Sequence, residues 1–466
     1  MQRLYISCYA MDHKCYDRYG LSEDILMEHA ARAMADRIRH RFAKGASVLI
    51  VCGPGNNGGD GMVLARQLYG DYDVRLYVPF GAKSLMATTQ WERTITLGLE
   101  EVNRIEEADI IVDALFGAGL SRPLDDKAVT ILKRLNGLGG YKIACDIPTG
   151  LDERGNPSPV AFHADTTVTM GALKEALYAD AAKDYVGDIA CADLGVARSL
   201  YEDPSDTYVL DQTDFHPPHR RLQASHKGSY GHAAVLCGEK EGAGIMAALA
   251  ASRFGAGLTT VVLHERVHVP PELMHDTVVP TKATALAVGP GLGAHFEEAF
   301  LRRHLIQSDL PIVLDADAFA SPLLLEILSQ SDRAVVLTPH PKEFATMWRL
   351  VTNETLDVET IQADRFGTAR HFSRRFPHAV LLLKGANPVI AHRGELFVNP
   401  HGTPALAKGG SGDVLTGLIV ALLAQGYDPK EAAIQASLAH THAADCANGN
   451  DFALTATDLI AALKSL

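Results

Sequence analysis

Two glycine-rich turns, one near each end of the chain, hold an aspartate where phosphate chemistry could occur. The first covers residues 53–61 (Gly-Pro-Gly-Asn-Asn-Gly-Gly-Asp-Gly), and the second covers residues 409–417 (Gly-Gly-Ser-Gly-Asp-Val-Leu-Thr-Gly). Glycines let backbone N–H groups turn toward an anion, and the start of a following helix adds partial positive charge. An aspartate in such a turn, Asp60 or Asp413, suits the handling of a proton or a cation. The turns therefore predict two domains that handle phosphate groups.

Three polar motifs in the N-terminal half each follow or end a short apolar run. They are residues 56–60 after the run Ser47–Cys52, residues 112–120 around the end of Asp109–Leu115, and residues 146–150 at the end of Lys142–Ile147. Open parallel sheets bind their ligands at the carboxyl ends of strands, so three polar strand ends in one domain favour a binding site. The structural alternative for Asp113 and Asp146 is capping of the turn that follows each of them.

The C-terminal half carries a more specific loop at residues 408–413. The loop leads directly into an apolar helical pattern, which places backbone amides around an anion and directs Asp413 at a group that approaches the phosphate. It is not a Walker A loop, because the chain contains no GxxxxGK[ST] pattern. Five further motifs accompany it: His226–Gly231, Gly289–Gly293, Asp315–Ala318, Thr338–Phe344 and Lys384–Ala386.

Alternating strand and helix patterns position these motifs. Helical patterns at residues 22–45, 61–69 and 128–135 separate the apolar runs of the first half, which also include Val74–Val78. The second half repeats the alternation, with strands predicted at His232–Cys237, Thr259–Leu263, Ala285–Val288, Pro311–Asp315, Ala334–Leu337 and Ala379–Lys384, and with a helix at Ile245–Phe254 and a final helical pair from Asp413 onward. This alternation predicts the α/β class, with two domains that each contain a mainly parallel sheet covered by helices on both faces. Residues 198–221 lack a sustained period and are interpreted as a linker, so we place the domains at residues 1–205 and 206–466.

Composition excludes several classes of function. The chain has 466 residues, 47% hydrophobic and 21% charged residues, and a net charge of −13, which together indicate an ordinary globular protein of more than one domain. The negative charge argues against partners such as nucleic acid or an anionic membrane surface. The seven cysteines form no CxxC pair, and no apolar stretch is long enough to span a bilayer. We therefore expect reduced thiols, a cytoplasmic location, small-molecule ligands and a homo-oligomer.

The three N-terminal motifs resemble those of the epimerase domain of the bifunctional NAD(P)H-hydrate repair enzymes, which interconverts the R and S forms of hydrated NADH and NADPH. The resemblance implies a Rossmann-like domain with a K⁺ ion held by Asn57, Asp113 and Thr149, whose oxygens suit a hard cation. It also implies that the hydrate contacts Asn56, Asn57, Gly58, Gly59, Asp60, Gly117, Ala118, Gly119, Leu120, Ser121, Arg122, Pro123 and Asp146.

The motifs of the C-terminal half resemble, in order and spacing, the dehydratase domain of the same family, which has a ribokinase-like fold. In ribokinase-like enzymes the aspartate at the position of Asp413 takes the proton from the hydroxyl group that is phosphorylated. The resemblance implies that the hydrate contacts Ala243, Gly293, His340 and Asp413. It also implies that the co-substrate, ADP or ATP with Mg²⁺, is held by Lys384, Gly385, Ala386, Asn387, Pro388 and Gly412.

The sequence departs from the family pattern at several of these positions. Thr149 replaces a usual Ser and keeps the hydroxyl group, whereas Ala118 replaces a usual Thr and removes a hydrogen-bonding group. Lys342 replaces a usual Gly and adds positive charge, and Asn387-Pro388 stands where a Thr is common. The first pair concerns the epimerase site, and the second pair concerns the nucleotide site.

The chemistry implied for the two halves is different. Epimerisation needs reversible C–O cleavage or ring opening, for which one carboxylate that exchanges a proton suffices; Asp146 is the first candidate and Asp60 the second. Dehydration is expected to begin when Asp413 deprotonates the hydroxyl group of the hydrate. Phosphoryl transfer then creates a good leaving group, which the lone pair of the ring nitrogen expels.

Two other interpretations remain open from the sequence. One is a small-molecule kinase of vitamin metabolism, because thiazole and pyrimidine kinases share the GSGD-type loop; it would leave the N-terminal motifs unexplained. The other makes the N-terminal half a binding module without catalysis. A stable phosphorylated product would distinguish a kinase from a dehydratase, since the latter expels phosphate.

Overall fold

The computed structural model describes residues 1–119, 122–263, 267–293, 298–330, 333–447 and 449–466. The chain divides into two compact units. The N-terminal unit comprises Arg3–Ser205, and the C-terminal unit comprises Asp206–Leu466 together with Met1–Gln2. Each unit contains parallel strands flanked by helices.

The N-terminal unit is a parallel α/β sandwich. Its strands are β1 (Gln2–Tyr5), β2 (Ser47–Cys52), β3 (Asp73–Tyr77), β4 (Ile110–Ala114), β5 (Tyr141–Cys145), β6 (Thr166–Met170), β7 (Leu173–Lys174) and β8 (Asp188–Ala192). Its helices are α1 (Tyr9–Tyr19), α2 (Glu23–Arg41), α3 (Asn56–Leu68), α4 (Leu85–Thr96), α5 (Asp126–Asn136), α6 (Lys183–Val186) and α7 (Arg198–Tyr201), with 3₁₀ turns at Glu175–Tyr178 and Asp180–Ala182. Six strands form one sheet in the order β3-β2-β4-β5-β6-β8, in which every pair is parallel.

Apolar side chains on both faces of this sheet bury it between helices. Val48, Ile50 and Cys52 of β2 pack with α2 and α3, whereas Leu49 and Val51 pack with α5 on the opposite face. A strand that is buried on both faces needs a continuous apolar run, which is why the sequence Ser-Val-Leu-Ile-Val-Cys forms β2 at the predicted residues. Strands β1 and β7 lie outside this six-stranded sheet and pair in parallel, with Tyr5 opposite Lys174.

The C-terminal unit has a larger sheet of mixed direction. Its strands are β9 (Thr207–Val209), β10 (His232–Leu236), β11 (Leu258–Val262), β12 (Met274–Asp276), β13 (Ala285–Val288), β14 (Ile312–Leu314), β15 (Val335–Leu337), β16 (Ala379–Leu383), β17 (Val389–His392) and β18 (Glu395–Val398). Its helices are α8 (Glu241–Arg253), α9 (Glu298–Leu305), α10 (Leu324–Leu328), α11 (Pro341–Thr352), α12 (Val358–Ala363), α13 (Arg365–Arg375), α14 (Ser411–Ala424), α15 (Pro429–Cys446) and α16 (Ala456–Ala462). Its strand order is β12-β11-β10-β13-β14-β15-β16-β17-β18-β9, parallel except for the antiparallel pairs β16-β17 and β17-β18.

Helix α14 lies at the centre of the C-terminal core. Its residues from Val414 to Ala424 are all buried, and α8, α15 and α16 pack around it. Close packing against α8 requires a glycine, because a Cβ added at Gly417 would lie 2.2 Å from the carbonyl oxygen of Ala247. The helix that begins at the second glycine-rich turn is therefore fixed in the centre of the core.

The predicted fold class is confirmed, since both units are α/β with mainly parallel sheets. The expected linker at residues 198–221 instead contains α7 and β9. Strand β9 forms because it pairs in parallel with β18, which lies almost 190 positions later in the chain. Local sequence patterns carry no sign of so distant a partner. Among the described residues, every helix is too short or too polar to span a bilayer.

Candidate active sites

The three N-terminal motifs meet at one edge of the sheet because β2, β4 and β5 are neighbours. The backbone is closely packed there: the N–H of Gly53 donates to the carbonyl of Ala114 at 2.9 Å. A Cβ added at Gly53 would lie 1.6 Å from the carbonyl oxygen of Leu115, so only glycine fits at this position. The loops after β2 and β4 therefore approach each other at the start of α3.

Asp113 and Thr149 form a buried pair at this edge. The Asp113 carboxylate accepts hydrogen bonds from the backbone N–H and the hydroxyl group of Thr149, both at 2.8 Å, and from the N–H of Leu115 at 3.2 Å. The Thr149 hydroxyl oxygen also accepts from the N–H of Phe116 at 3.0 Å. Burial raises the pKa of Asp113 to about 6, although the hydrogen bonds from Thr149 lower it. The capping role that was the structural alternative for Asp113 is thus part of its geometry.

Asp146 follows β5 in a left-handed backbone conformation, with φ of +69°. This conformation is unfavourable for a residue with a Cβ, by about 1–2 kcal/mol, and it turns the carboxylate toward the loop after β4. There Oδ2 accepts from the N–H of Ala118 at 3.2 Å, and Oδ1 accepts from Nζ of Lys174 at 2.6 Å. Burial alone raises the pKa of Asp146, but the charge and hydrogen bond of Lys174 bring it below its ordinary value.

Asn57 lies beside Asp146 with its amide unsatisfied. Both polar atoms of the Asn57 side chain are buried and have no hydrogen-bond partner among the described residues. A Cβ added at Gly117 would lie 3.0 Å from Asn57 Oδ1 and 3.1 Å from Asp146 Oδ2, so both oxygens face the same glycine. Buried polar atoms usually have partners, and their absence here indicates a position for a ligand atom.

Carboxyl groups surround the start of α3. The side-chain amide of Asn56 donates to Glu23, and the pKa of Asp60 is raised well above its ordinary value by burial and then by the charges of Asp146, Asp12 and Glu23. Gly58 and Gly59 are buried in the first turn of α3, whereas Arg122 and Pro123 are exposed in the loop after β4. Leu120 and Ser121 lie outside the described residues.

In the C-terminal unit, four neighbouring parallel strands end at the predicted motifs. Strands β13, β14, β15 and β16 are adjacent, and they lead directly to Gly289, Asp315, Thr338 and Lys384. The packing is again close, since a Cβ added at Gly289 would lie 1.6 Å from the carbonyl oxygen of Asp315. The carboxyl edge of this sheet therefore collects the motifs that precede the glycine-rich turn.

The second glycine-rich turn begins α14 in the expected way. Gly410 is the residue before the helix and has φ of +90°, which favours glycine. Ser411 then lies against the buried His440 of α15, whose Nε2 is 2.9 Å from the Ser411 carbonyl oxygen and 3.1 Å from its hydroxyl oxygen. Burial lowers the pKa of His440 to about 4, so the ring is neutral and fixes the turn without adding charge. Asp413 is in the first helical turn.

Lys384 connects the sheet edge to this turn. Its Nζ donates to Asp315 Oδ1 at 2.7 Å, and the hydroxyl group of Thr416 in α14 donates to Asp315 Oδ2 at 2.8 Å. A Cβ added at Gly412 would lie 3.5 Å from Lys384 Nζ, which places the ammonium beside the backbone of the turn. Burial raises the pKa of Asp413 to about 6; the charge of Asp315 adds to the rise and that of Lys384 opposes it.

His340 and Glu343 lie next to Lys384. His340 caps α11, with Nδ1 accepting from the N–H groups of Lys342 at 3.2 Å and Glu343 at 3.3 Å. Its side chain is 47% exposed and Nε2 is 3.3 Å from Glu343 Oε1, while Glu343 Oε2 is 3.7 Å from Lys384 Nζ. The histidine is therefore both a helix cap and an accessible group at the site edge.

The predicted hydrate contacts Gly293 and Ala243 come from two other segments. The N–H of Gly293 donates to Asp317 Oδ2 at 2.9 Å, and that of Ala243 donates to the carbonyl of Lys240 at 3.1 Å, where α8 begins. Burial raises the pKa of Cys237, which follows β10, to about 12, and the charges of Glu241 and Asp413 add to the rise.

Family models match both halves of the chain. Residues 233–465 match a model described as NAD(P)H-hydrate dehydratase, and residues 23–176 match one described as YjeF-related protein N-terminus. The bifunctional NAD(P)H-hydrate repair enzyme Nnr of Helicobacter pylori is 41% identical over 477 residues, which cover 100% of each chain. The chain belongs to the family of bifunctional NAD(P)H-hydrate repair enzymes. The family predicted from the sequence is thereby confirmed, and with it the combination of epimerase and dehydratase.

Two further proteins resemble the chain. The repair enzyme Nnr of Coxiella burnetii is 35% identical and covers 96% of this chain and 95% of its own length. A solved structure of the ADP/ATP-dependent NAD(P)H-hydrate dehydratase from Bacillus subtilis, co-crystallised with ATP and Mg²⁺, is 32% identical and covers 55% of this chain and 94% of its own, with a TM-score of 0.46. The match to the repair enzyme of Helicobacter pylori covers both halves of the chain, which argues against a vitamin kinase with a non-catalytic N-terminal module.

In this repair enzyme the sequence reasoning missed two buried basic residues. Lys174 pairs with Asp146, and its side chain is only 3% exposed. Arg365 donates to the carbonyls of Lys384 and Leu383, both at 3.0 Å, and so supports the segment Lys384–Pro388. A lysine directly after the apolar pair Ala172-Leu173 was the available signal for the first. Arg365 begins a helix, where arginine is ordinary, and gave no signal.

Proposed function

We propose that the N-terminal unit interconverts the R and S epimers of hydrated NADH and NADPH and that the C-terminal unit dehydrates the S epimer with ADP or ATP. The observation that carries the proposal is the position of Asp413 in the first turn of α14, beside the amides of the glycine-rich turn and the ammonium of Lys384. Helix starts with free N–H groups favour phosphate, and the carboxylate next to them can take a proton.

Dehydration begins at the hydroxyl group of the hydrate. Asp413 takes the hydroxyl proton while the oxygen attacks the terminal phosphorus of the nucleotide. One P–O bond forms, and the bond from that phosphorus to the bridging oxygen breaks, so ADP releases AMP or ATP releases ADP. The lone pair of the ring nitrogen then expels phosphate with its C–O bonding electrons, and loss of a ring proton restores the reduced nicotinamide. Since the pKa of Asp413 is about 6, the carboxylate is ionised at neutral pH and is more basic than an ordinary aspartate.

The surroundings of Asp413 supply positive charge for phosphate. Lys384 lies beside Gly412, and the predicted nucleotide segment, Gly385, Ala386, Asn387 and Pro388, follows it directly. Arg365 holds the backbone of this segment through buried hydrogen bonds. Mg²⁺ would enter bound to the phosphates of the nucleotide, as is usual for this ion. Ala243, Gly293 and His340 would then bound the hydrate on the side of α8 and α11.

Epimerisation uses two carboxyl groups in different protonation states. Asp60, whose pKa is raised, donates a proton to the departing hydroxyl group, and the ring nitrogen lone pair forms an iminium cation as the C–O bond breaks. Asp146, whose pKa is lowered, takes a proton from the water that adds to the other face of the ring. The negative charge of Asp146 also stabilises the cation. Both residues that the sequence suggested for proton exchange, Asp146 and Asp60, therefore have a role.

The residues predicted to hold K⁺ fit that ion. Asn57 has an unsatisfied buried amide oxygen, Asp113 provides a buried negative charge, and Thr149 provides a hydroxyl oxygen. An all-oxygen set of this kind suits a hard cation. Bound there, K⁺ would supply positive charge near the substrate phosphates and would fix the loops after β2, β4 and β5. We also propose a cytoplasmic location, because the seven cysteines form no CxxC pair and no apolar stretch is long enough to span a bilayer, together with a homo-oligomeric state.

The full chain and a mixture of hydrate epimers test the proposal. With ADP or ATP, in separate reactions, the absorbance of the reduced nicotinamide should return until both epimers are consumed. A stable phosphorylated product without return of this absorbance would indicate a kinase instead. Consumption that stops at the S fraction would show that the N-terminal unit does not epimerise the hydrate.

A further inference from the structure

Lys174 is a buried charge that the proposed mechanism does not yet use. It ends β7, a two-residue strand whose pairing with β1 places Lys174 opposite Tyr5. The ammonium reaches the strand end after β5 and forms an ion pair of 2.6 Å with Asp146. A lysine that is 3% exposed is rare unless it is paired, and this one is paired with a predicted catalytic residue.

The ammonium of Lys174 has no free donor. Its three N–H groups face Asp146 Oδ1 at 2.6 Å, Thr169 Oγ1 at 2.8 Å and the carbonyl of Met170 at 3.2 Å. The charge of Asp146 raises the pKa of Lys174 above its ordinary value, against the lowering effect of burial. The lysine therefore stays protonated and saturated, which suits a fixed cation and does not suit a proton carrier or an amine nucleophile.

The two oxygens of Asp146 differ in their contacts as a result. Oδ1 accepts from Lys174 and from the N–H of Met170 at 3.2 Å, and it lies 3.3 Å from Thr169 Oγ1. Among the described residues, Oδ2 accepts only from the N–H of Ala118, at 3.2 Å, and it lies near Gly117, as Asn57 Oδ1 also does. One oxygen is thus anchored in the protein, and the other is presented to the loop that is expected to hold the hydrate.

We infer that Lys174 is a positioning residue of the epimerase site: it anchors Oδ1 of Asp146 and keeps this carboxylate ionised, so that Oδ2 faces the hydrate as a proton acceptor. The inference rests on the proposed role of Asp146. It adds that the base is positioned and kept ionised by a residue of β7, a strand outside the six-stranded sheet that carries the three motifs.

The electrostatic surroundings explain why a fixed cation is needed. The titratable groups that interact with Asp146 or Lys174 come from every neighbouring element: Asp60 of α3, Asp12 of α1, Cys8 before α1, Cys145 of β5 and Cys191 of β8. Burial raises the pKa of Asp12 to about 6, and Lys174 opposes this rise. Without the lysine, burial and the neighbouring carboxyl groups would raise the pKa of Asp146, so a smaller fraction of this base would be ionised at a given pH.

Epimerisation alone, without nucleotide, isolates this site. The full chain is incubated with the pure R hydrate from about pH 5 to about pH 9, and the appearance of the S hydrate is followed by chromatography. The variants are Lys174→Met, which removes the charge, and Lys174→Arg, which keeps it. Lys142→Met is the matched control. Lys142 lies in β5, the strand that leads to Asp146, but its Nζ donates to the carbonyl of Leu138.

The expected result has two parts. Lys174→Met should lose about a hundredfold in rate at neutral pH, and the acid limb of its pH profile should move up by about one unit or more. Lys174→Arg should keep the acid limb of the unchanged chain and recover at least about a tenth of its rate. Lys142→Met should match the unchanged chain. A Lys174→Met profile with an unmoved acid limb, or a uniform loss that Lys174→Arg does not recover, overturns the inference.

Two controls separate folding and the proposed function from this result. If Lys174→Met does not fold, as judged by circular dichroism, the variant Thr169→Val replaces it, because this change removes a hydroxyl group that contacts the ammonium. The acid limb of its pH profile should move up by a smaller amount. An acid limb that does not move overturns the inference. If the unchanged chain does not epimerise the hydrate, or Asp146→Asn does so at the same rate, the proposed function itself fails. If Asp146→Asn loses its epimerisation rate as expected but Lys174→Met does not, only the role of Lys174 is refuted.

Discussion

Both units present an aspartate at the carboxyl edge of a parallel sheet, but the two aspartates have opposite electrostatic surroundings. Asp146 receives the ammonium of Lys174 directly, at 2.6 Å, and its pKa is lowered. Asp413 also has a lysine nearby, yet the ammonium of Lys384 is bonded to Asp315 at 2.7 Å. Burial raises the pKa of Asp413 to about 6, and the charge of Asp315 adds to the rise.

The difference shows that one further carboxylate can set the strength of a catalytic base. In the C-terminal unit Asp315 occupies the lysine and adds negative charge beside Asp413, so Asp413 binds a proton more strongly. A stronger base suits the removal of a proton from an alcohol. In the N-terminal unit the lysine has no such competing partner at hydrogen-bond distance among the described residues, and the weaker, permanently charged carboxylate suits a site that passes through a cation.

The largest expected effect in this comparison is the loss of Asp413. Asp413→Asn keeps the shape of the first turn of α14 but removes the base, so nucleotide-dependent return of reduced nicotinamide should fall by about a thousandfold or more. Asp445→Asn, on the exposed part of α15, is the matched control. If Asp413→Asn kept full activity, the proposed dehydration would have no base, and the mechanism would be wrong.

The loss of Asp146 should be selective for one epimer. In Asp146→Asn the N-terminal unit loses its anionic base, and R-to-S conversion should slow by about a hundredfold or more. Dehydration of the S epimer needs only the other unit, so a mixed hydrate sample should react to the extent of its S fraction and then stop. Equal consumption of both epimers at the normal rate would contradict the role of Asp146.

Removal of Asp315 tests whether the second carboxylate sets the base strength. Asp315→Asn removes a negative neighbour and frees Lys384, and both changes lower the pKa of Asp413. Activity of the unchanged chain requires the ionised form and should fall as the pH drops through about 6. In the variant this acid limb should move to lower pH, while the plateau rate should fall by about tenfold because the base is weaker. An acid limb that stays in place or moves up would show that Asp315 does not act on Asp413.

The parts of this comparison that the sequence predicted are those that local patterns encode. Buried parallel strands need continuous apolar runs, so the strands before Asn56, Asp146 and Lys384 were found within one or two residues, and the ends of neighbouring parallel strands must share an edge. Helix starts at glycine-rich turns were likewise visible. The candidate residues around both aspartates came from the resemblance to the family, and the structure gathers the described ones at two sheet edges.

The rest depended on partners that lie far apart in the sequence. Strands β6, β7 and β8 were not predicted, and Lys174, which lies 28 positions after Asp146, could not be assigned to it without them. Asp315 and Lys384 lie 69 positions apart, and their pairing depends on the order of the strands in the sheet, which local patterns do not give. The hairpin β17-β18 was detectable, because its turn at Arg393-Gly394 has positive φ at both residues and an X-Gly pair between apolar runs is a known hairpin signal.

The smallest expected effect concerns His440, which supports the turn before Asp413 and has no counterpart in the N-terminal unit. Burial lowers its pKa from the ordinary 6.5 to about 4, so the unfolded chain takes up a proton that the folded unit does not. The free energy of unfolding should therefore fall as the pH drops from about 6.5 to about 4, by up to about 3 kcal/mol from this residue. His440→Gln should flatten this pH dependence and cost only about threefold in dehydration rate, since a glutamine amide can still donate to the Ser411 carbonyl. Urea unfolding at several pH values measures this pH dependence. The signal is the fluorescence of Trp348 in a Trp91→Phe background, so that only the C-terminal unit is observed. If the free energy of unfolding changed equally with pH with and without His440, the burial of His440 would not be linked to folding.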